Sequence, residues 1–414
     1  MSNFQNIIRE ACSSRDIAGA ILVGGDSSGK FYYAKAFGSQ SLKDPSEPMN
    51  LDSVMWFASC TKLFTTIAAL QCVERVLLGL DSDISEILPE FKGVQILTGF
   101  DEESGKPVLI DNHKTITLRF VVLSTLKAIT KYVKDPLLSR YTEYISKGSP
   151  MPIDGEVLVK ERFKFPLLFA PGESWNYGVG IDWAGQMVER VNDNISLERY
   201  FRKNIWGPLG IENITFHPTQ HPEIFSKLIA MSKREGGVTR YGTTDSATGK
   251  AEYTSQVPFD PATKDCQGGA GTFGSPVDYF KCLQSICAND GKLLKSETVD
   301  EMFKPQLSEA SRKGLMETLS VPEVNEVFGA FPKGLKADWG LGGIMNLEDI
   351  GGRSKGSIAW GGYPNIQWWI NRKDGICGIW SSQLIPPGDP KTNRLVTAFE
   401  EEMYRMANVS REKL

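Results

Sequence analysis

Met55-Trp-Phe-Ala-Ser59-Cys-Thr-Lys62-Leu-Phe-Thr-Thr-Ile-Ala-Ala-Leu-Gln-Cys-Val-Glu-Arg75 is the stretch that decides how the rest of the chain is read. From Ser59 to about Leu78, apolar residues fall at Leu63, Ile67, Leu70, Val73 and Leu77. That spacing is close to the 3.6-residue period and predicts a long amphipathic helix. Ser59 and Lys62 stand three residues apart at its start, on one face and within hydrogen-bond reach. A serine beside an uncharged lysine amine can act as a nucleophile, because the amine takes its proton. Desolvation in a cleft and the positive end of a helix both disfavour the ammonium form. The same helix start offers the Ser59 backbone N–H as a donor to a developing oxyanion.

Working outward, the two ends of the chain read as strands. An amphipathic opening from Phe4 to Cys12 precedes Gly19-Ala-Ile-Leu-Val23, a Gly/Ser turn from Gly24 to Gly29, and Lys30-Phe-Tyr-Tyr-Ala-Lys-Ala-Phe37. This is the pattern of helix, strand, turn, strand. At the far end, Gly356 to Trp360, Asn365 to Ile370 and Ile376 to Trp380 form a strand meander, closed by a helix from about Lys391 to Met406. Few convincing strands lie between. The expected fold class is therefore α/β, an antiparallel sheet shared by the two ends and flanked by helices, with the terminal helices packed on one face. Helical patterns over Leu118 to Val133, Ile181 to Val191 and Leu197 to Ile205 make the middle a mainly helical lobe. We expect residues 1–54 and 231–414 to form the sheet lobe and residues 55–230 the inserted helical lobe, with the active site in the cleft between them. Segments Asp101 to Lys106, Glu235 to Gly249 and Gly334 to Lys336 read as surface loops.

Composition narrows the function. A chain of 414 residues buries about 75 per cent of its unfolded surface, and 41% hydrophobic with 23% charged residues is an ordinary globular balance. A net charge of −4 provides no basic footprint for phosphate backbones, so nucleic acid is not an expected partner. The longest apolar runs, such as Leu77 to Leu80, fall far short of the ~20 residues of a membrane span. Seven scattered cysteines with no C-x-x-C pair read as reduced thiols, and the N-terminus carries no secretory pattern, so a cytoplasmic address is expected.

Other chemistries have little to stand on. His113, His217 and His221 are the three histidines, and His217-Pro-Thr-Gln-His221 has metal-like spacing only if helical, which Pro218 and Pro222 oppose. No Gly-x-Ser-x-Gly elbow is present. Ser124-Thr-Leu-Lys127 repeats the Ser-x-x-Lys spacing in a shorter helical segment running toward Pro136. No metal or additional cofactor is suggested.

Several further stretches accompany the Ser59 helix in order along the chain. They are Leu80-Asp-Ser-Asp-Ile-Ser-Glu-Ile-Leu-Pro89, Pro171-Gly-Glu-Ser-Trp-Asn-Tyr177-Gly with Asp182-Trp-Ala-Gly185, Gly268-Gly-Ala-Gly271, Gly340-Leu-Gly-Gly343 and Trp360-Gly-Gly362-Tyr-Pro-Asn365. Together they resemble the serine β-lactamase and penicillin-binding-protein superfamily over nearly the whole chain, in its class C β-lactamase-like esterase and transesterase branch. Within that branch the chain is most similar to fungal polyketide-pathway acyltransferases, those of the lovastatin (monacolin J) pathway among them. The resemblance implies that Ser59 is the acylated nucleophile, Lys62 the group that deprotonates it, and Tyr177 a partner base that returns a proton to the leaving group. It implies that Trp360-Gly361-Gly362 takes the place of the Lys-Thr-Gly strand motif, with the backbone N–H of Tyr363 as second oxyanion donor.

Departures from the family pattern shape the expected substrate. Val179 stands where the Tyr-x-Asn motif has asparagine, and Trp360 where β-lactamases carry a cationic or polar group for the drug carboxylate. Both remove polarity. Phe120-Val-Val-Leu-Ser-Thr-Leu-Lys127 replaces a usual His-Leu-Leu-x-His-Thr-Ser-Gly and is expected to reshape the cleft wall near Lys127 to Asp135. Trp56, Trp175, Trp183 and Trp368 lie near the motifs and would suit an apolar polycyclic acceptor. The expected function is an acyltransferase of secondary metabolism, moving an acyl group from a thioester donor to a hydroxyl of a polycyclic or polyketide acceptor. The implied partners are that small-molecule acceptor and the thioester, which is either soluble or on a carrier protein's phosphopantetheine arm. Hydrolysis by an esterase or thioesterase is the alternative, followed by a cleft reused for dehydration, cyclisation or binding alone.

Overall fold

The computed structural model describes residues 3–123, 136–146, 158–239, 241–245 and 248–412. Its centre is a seven-stranded antiparallel sheet built from both ends of the chain. The strands are β1 (Gly19–Asp26), β2 (Tyr32–Gly38), β3 (Ala337–Gly340), β4 (Gly343–Asn346), β5 (Ile358–Gly362), β6 (Ile366–Asn371) and β7 (Ile376–Ser381). Their order in the sheet is β3-β4-β5-β6-β7-β1-β2. The N-terminal hairpin therefore docks against the C-terminal meander, with Leu22 opposite Trp380.

Helices cover both faces, which is why β1 reads as a continuous apolar run rather than an alternating one. Helices α1 (Asn3–Ser13) and α5 (Pro390–Glu412) pack on one face, and α4 (Pro276–Ala288) on the other. The glycines of β1 let them come close. A Cβ on Gly24 would meet Met403 Sδ of α5 at 2.6 Å, and one on Gly25 would meet the Phe31 carbonyl at 2.7 Å and Phe280 of α4 at 3.1 Å. All seven cysteines are free, and six of them are buried.

The helix that opens at the Ser59 motif, α2 (Thr61–Glu74), differs from expectation in two ways. Every residue from Thr61 to Cys72 is buried, so it is a central spine and not an amphipathic surface helix. Packing from α3 (Gly180–Arg190), the 197–206 segment and the 268–272 stretch closes its polar side as well. It also ends four residues early. The Leu77 N–H returns to the Cys72 carbonyl and the Val76 N–H to that of Val73, while Val76 takes φ 59°, the arrangement that terminates a helix.

Two further points concern the middle segment, where few strands were expected. The middle segment is not free of strands: Gln95–Phe100 and Pro107–Asp111 form an antiparallel hairpin around the Asp101 to Lys106 loop. The helix read over Leu118 to Val133 is described only as Leu118–Val122, and its remainder, with Ser124 and Lys127, lies outside the described residues. A small sheet joins Met55–Trp56 and Ile214–Thr215 to Phe273–Gly274. It ties the segment before Ser59 to residues on both sides of position 231. Among the described residues no helix is long and apolar enough to cross a membrane.

Candidate active site

Ser59 sits in a 3₁₀ turn, Ala58–Cys60, that runs directly into α2. Ala58 adopts φ 46°, a left-handed conformation that costs of order 1–2 kcal/mol for a residue with a Cβ. The surroundings hold it there. The Phe57 N–H donates to the Thr272 carbonyl at 2.9 Å, and the Trp56 peptide is bracketed by Gln383, which accepts from its N–H at 3.2 Å and donates to its carbonyl at 3.1 Å. Beyond the turn, the Tyr279 hydroxyl donates to the Cys60 carbonyl at 2.8 Å, and Thr61 and Thr272 share a hydroxyl pair at 2.7 Å.

Three side chains converge there. Lys62 Nζ donates to Ser59 Oγ at 3.2 Å and to the Gly269 carbonyl at 2.6 Å. The Tyr177 hydroxyl donates to Ser59 Oγ at 2.6 Å. Lys62 Nζ also lies 4.9 Å from the centre of the Tyr177 ring. Lys62 is only 7% exposed, so this amine faces the serine and not bulk water. Both the amine and the phenol lie within proton-transfer distance of Ser59 Oγ, the proximity that an activated nucleophile requires.

Each partner is placed by its own element. Tyr177 ends the 171–177 loop just before α3, which begins so close to its neighbour that a Cβ on Gly180 would lie 2.4 Å from the Val121 carbonyl. Trp175 anchors that loop: it is buried, donates from Nε1 to the Leu123 carbonyl at 2.9 Å, and packs on Trp339 with ring centroids 5.0 Å apart. The end of β5 lies against the nucleophile turn, with Gly362 beside the Phe57 carbonyl.

The cleft over Ser59, a partly open cavity of about 110 Å³, is lined by Tyr177, Trp360, Gly361, Gly362 and Tyr363. Trp56, Trp175 and Val179 are not among its lining residues, contrary to expectation. Trp56 is buried and donates from Nε1 to the Ala270 carbonyl at 2.7 Å, Trp175 supports Tyr177 from behind, and Val179 is buried at the start of α3. Trp183 and Trp368 are likewise core residues, at 2% and 1% exposure. The sequence reading missed a wall formed by Thr318, Val324, Val327 and Phe328, and a polar edge formed by Tyr241 and Thr243. Nothing in those positions carries a motif. Phe328 packs on Trp360 at 5.1 Å between centroids and Trp360 on Tyr177 at 5.2 Å, so an aromatic face continues from the wall to the reacting hydroxyls.

His217 and His221 take separate partners. His217 precedes a 3₁₀ turn over Pro218–Gln220 and lies 3.5 Å from the Cys266 thiol, whereas His221 lies 3.3 Å from Glu223.

An antiparallel sheet flanked by helices, with a serine, a lysine and a tyrosine gathered where a helix start meets the end of a sheet strand, defines an enzyme of the serine β-lactamase-like kind. The chain belongs to the Beta-lactamase family, whose profile matches residues 4–400. It is similar to monacolin J acid methylbutanoyltransferase of Aspergillus terreus, 35% identical over 97% of this chain and 94% of that protein. It is also similar to lovastatin esterase of Penicillium rubens, 35% identical over 95% of this chain and 96% of that protein. Among solved structures, a mutant of simvastatin synthase from Aspergillus terreus superposes with a TM-score of 0.86 at 36% identity, covering 97% of this chain and 94% of that one.

Proposed function

We propose that this protein is an acyltransferase that moves an acyl group from a thioester to a hydroxyl of a polycyclic or polyketide acceptor through an ester on Ser59. The observation that carries the reading is the double hydrogen bond received by Ser59 Oγ, from Lys62 Nζ at 3.2 Å and from the Tyr177 hydroxyl at 2.6 Å. Similarity to a protein named as a methylbutanoyltransferase of monacolin J acid supports the substrate class.

In the first half-reaction the Ser59 proton passes to the Lys62–Tyr177 pair. Oγ then attacks the thioester carbonyl, the C–O bond forms, and the developing oxyanion is met by the backbone N–H groups of Ser59 and Tyr363. As the C–S bond breaks, the proton returns through Tyr177 to the leaving thiolate. In the second half, an acceptor hydroxyl gives its proton to the same pair and attacks the acyl-enzyme; the ester leaves and Ser59 regains its proton. Two half-reactions at one site give ping-pong kinetics. The aromatic face of Tyr177, Trp360 and Phe328 favours an apolar acceptor and shields the acyl-enzyme from water. A carrier-borne donor is part of this reading, the cleft being partly open to solvent.

Hydrolysis is the second reading, supported by equal identity to a protein named as an esterase. Incubation with a short-chain thioester, with and without candidate alcohols, separates the two. Ester product and faster thioester consumption in the presence of an alcohol support transfer; free acid at an unchanged rate excludes it.

A further inference from the structure

Lysine has four rotatable bonds, and nothing in its own helix fixes where its ammonium group points. In this protein the shorter of the two Lys62 contacts is not to Ser59 but to the Gly269 carbonyl, at 2.6 Å. The backbone at residue 269 therefore aims the amine. It belongs to a stretch, Gln267 to Gly271, with no place in any sheet or helix, so its path is set by the groups that grip it.

Those groups come from three elements. Thr65 Oγ1, one turn beyond Lys62 on α2, donates to the Gly268 carbonyl at 2.7 Å, and Trp56 Nε1 donates to the Ala270 carbonyl at 2.7 Å. At the centre, Asp182 Oδ1 on α3 accepts the Gly269 N–H at 2.9 Å. The two glycines make this grip possible. A Cβ on Gly269 would stand 2.3 Å from Asp182 Oδ2, and one on Gly268 would stand 3.0 Å from Thr65 Oγ1.

Asp182 is 4% exposed, and burial pushes its carboxyl above the usual carboxylate range while the nearby Lys62 charge works the other way. Burying a carboxylate is costly unless it is hydrogen-bonded.

We infer that Asp182 is a positioning residue for the reaction: by holding the Gly269 N–H it fixes the carbonyl that aims Lys62 Nζ at Ser59 Oγ. The inference rests on the proposed role of Lys62 as base. Asp182 touches neither substrate nor reacting atoms, and it acts through a backbone 87 residues away in sequence.

The test is single-turnover acylation by the butyryl thioester of N-acetylcysteamine, followed by intact mass on folded protein. Asp182→Ala is expected to slow acylation at saturating thioester tenfold or more, with the half-saturating concentration within twofold of wild type. Asp182→Asn keeps an Oδ1 acceptor and is expected to recover to within threefold. Gly269→Ala disturbs the same contact from the backbone side and is expected to match the alanine variant, which keeps the test open if Asp182→Ala does not fold. A rate within threefold of wild type in Asp182→Ala or Gly269→Ala would overturn the inference, as would Asp182→Asn falling as far as Asp182→Ala. Lys62→Ala separates this from the underlying reading. Slow acylation there with normal acylation in Asp182→Ala removes only Asp182, whereas wild-type acylation in Lys62→Ala removes the base assignment and this inference with it.

Discussion

Gly362 and Phe57 are pressed together: a Cβ on the glycine would stand 2.4 Å from the Phe57 carbonyl oxygen, closer than such atoms come in folded proteins. This contact sets the gap between the end of β5 and the turn that carries Ser59. Gly362→Ala should force the two apart by more than half an ångström. A misplacement of about 1 Å at reacting groups can cost about 10²-fold, and the shift forced here approaches that size. The variant is expected to stay folded, with a loss of about 1–3 kcal/mol from overpacking, and to acylate about a hundredfold more slowly. Stopped-flow acylation with thermal melting checks both numbers, and undiminished acylation would remove β5 from the site.

Tyr177→Phe deletes one hydroxyl and keeps the ring, whose packing on Trp360 at 5.2 Å is unaffected by the change. The 2.6 Å contact to Ser59 Oγ is lost. Acylation is expected to slow by ~10² or more with little change in stability, because general acid–base assistance is worth about that much. Loss of stability without loss of rate would make the hydroxyl a packing feature.

At the far end of α2, Val76 is 89% exposed and held at φ 59°, a conformation that a β-branched residue rarely adopts. Val76→Gly should relieve about 1–2 kcal/mol of backbone strain, offset in part by the entropy of glycine. The expected net is a stabilisation of about 0.5–1 kcal/mol, seen as a higher denaturation midpoint with unchanged activity.

Glu189 on α3 has its carboxyl pushed up to about 7, by desolvation first and by the charge of Asp265, against hydrogen bonds from Leu197 and Gln186 and the charge of Arg190. A raised folded-state value means that the native protein holds this proton more tightly than the unfolded chain. The contribution is full below about 4.5, the group's ordinary value, and is lost as pH rises through about 7. Glu189→Gln retains the acceptor for the Leu197 N–H, a 2.7 Å contact. Relative to wild type, the variant should therefore gain of order 1–3 kcal/mol between pH 5 and pH 8. Urea unfolding at the two pH values reads this directly, and a constant difference between the proteins would exclude Glu189 as the source.

Local signals were the legible ones. The i, i+3 spacing alone puts Ser59 beside Lys62, and the strands at the two ends show themselves by β-branched and aromatic runs between Gly-rich turns. Features that depend on distant neighbours were not legible. Period alone cannot show that α2 is buried all round, because its polar residues Thr61, Lys62, Thr65 and Thr66 are satisfied or packed by segments elsewhere in the chain. The 95–111 hairpin is hard to see in the sequence because its flanks, Ile96 and Leu97 on one side and Val108 and Ile110 on the other, are short beside a charged Gly-containing loop. Tyr177 was reached only through resemblance to a family. The contact that Asp182 makes and the Thr318 to Phe328 wall needed the folded chain: the stretch around Asp182 does not show which backbone it grips, and the wall carries no motif.

The central claim is that Ser59 becomes the carrier of the acyl group, and intact-mass measurement after mixing with a short-chain thioester tests it most directly. The account predicts a single acyl adduct on wild type that disappears when a suitable alcohol is added, no adduct on a folded Ser59→Ala variant, and an undisturbed adduct on Ser124→Ala. An adduct that persists on Ser59→Ala, or thioester turnover by that variant at the wild-type rate, would contradict it.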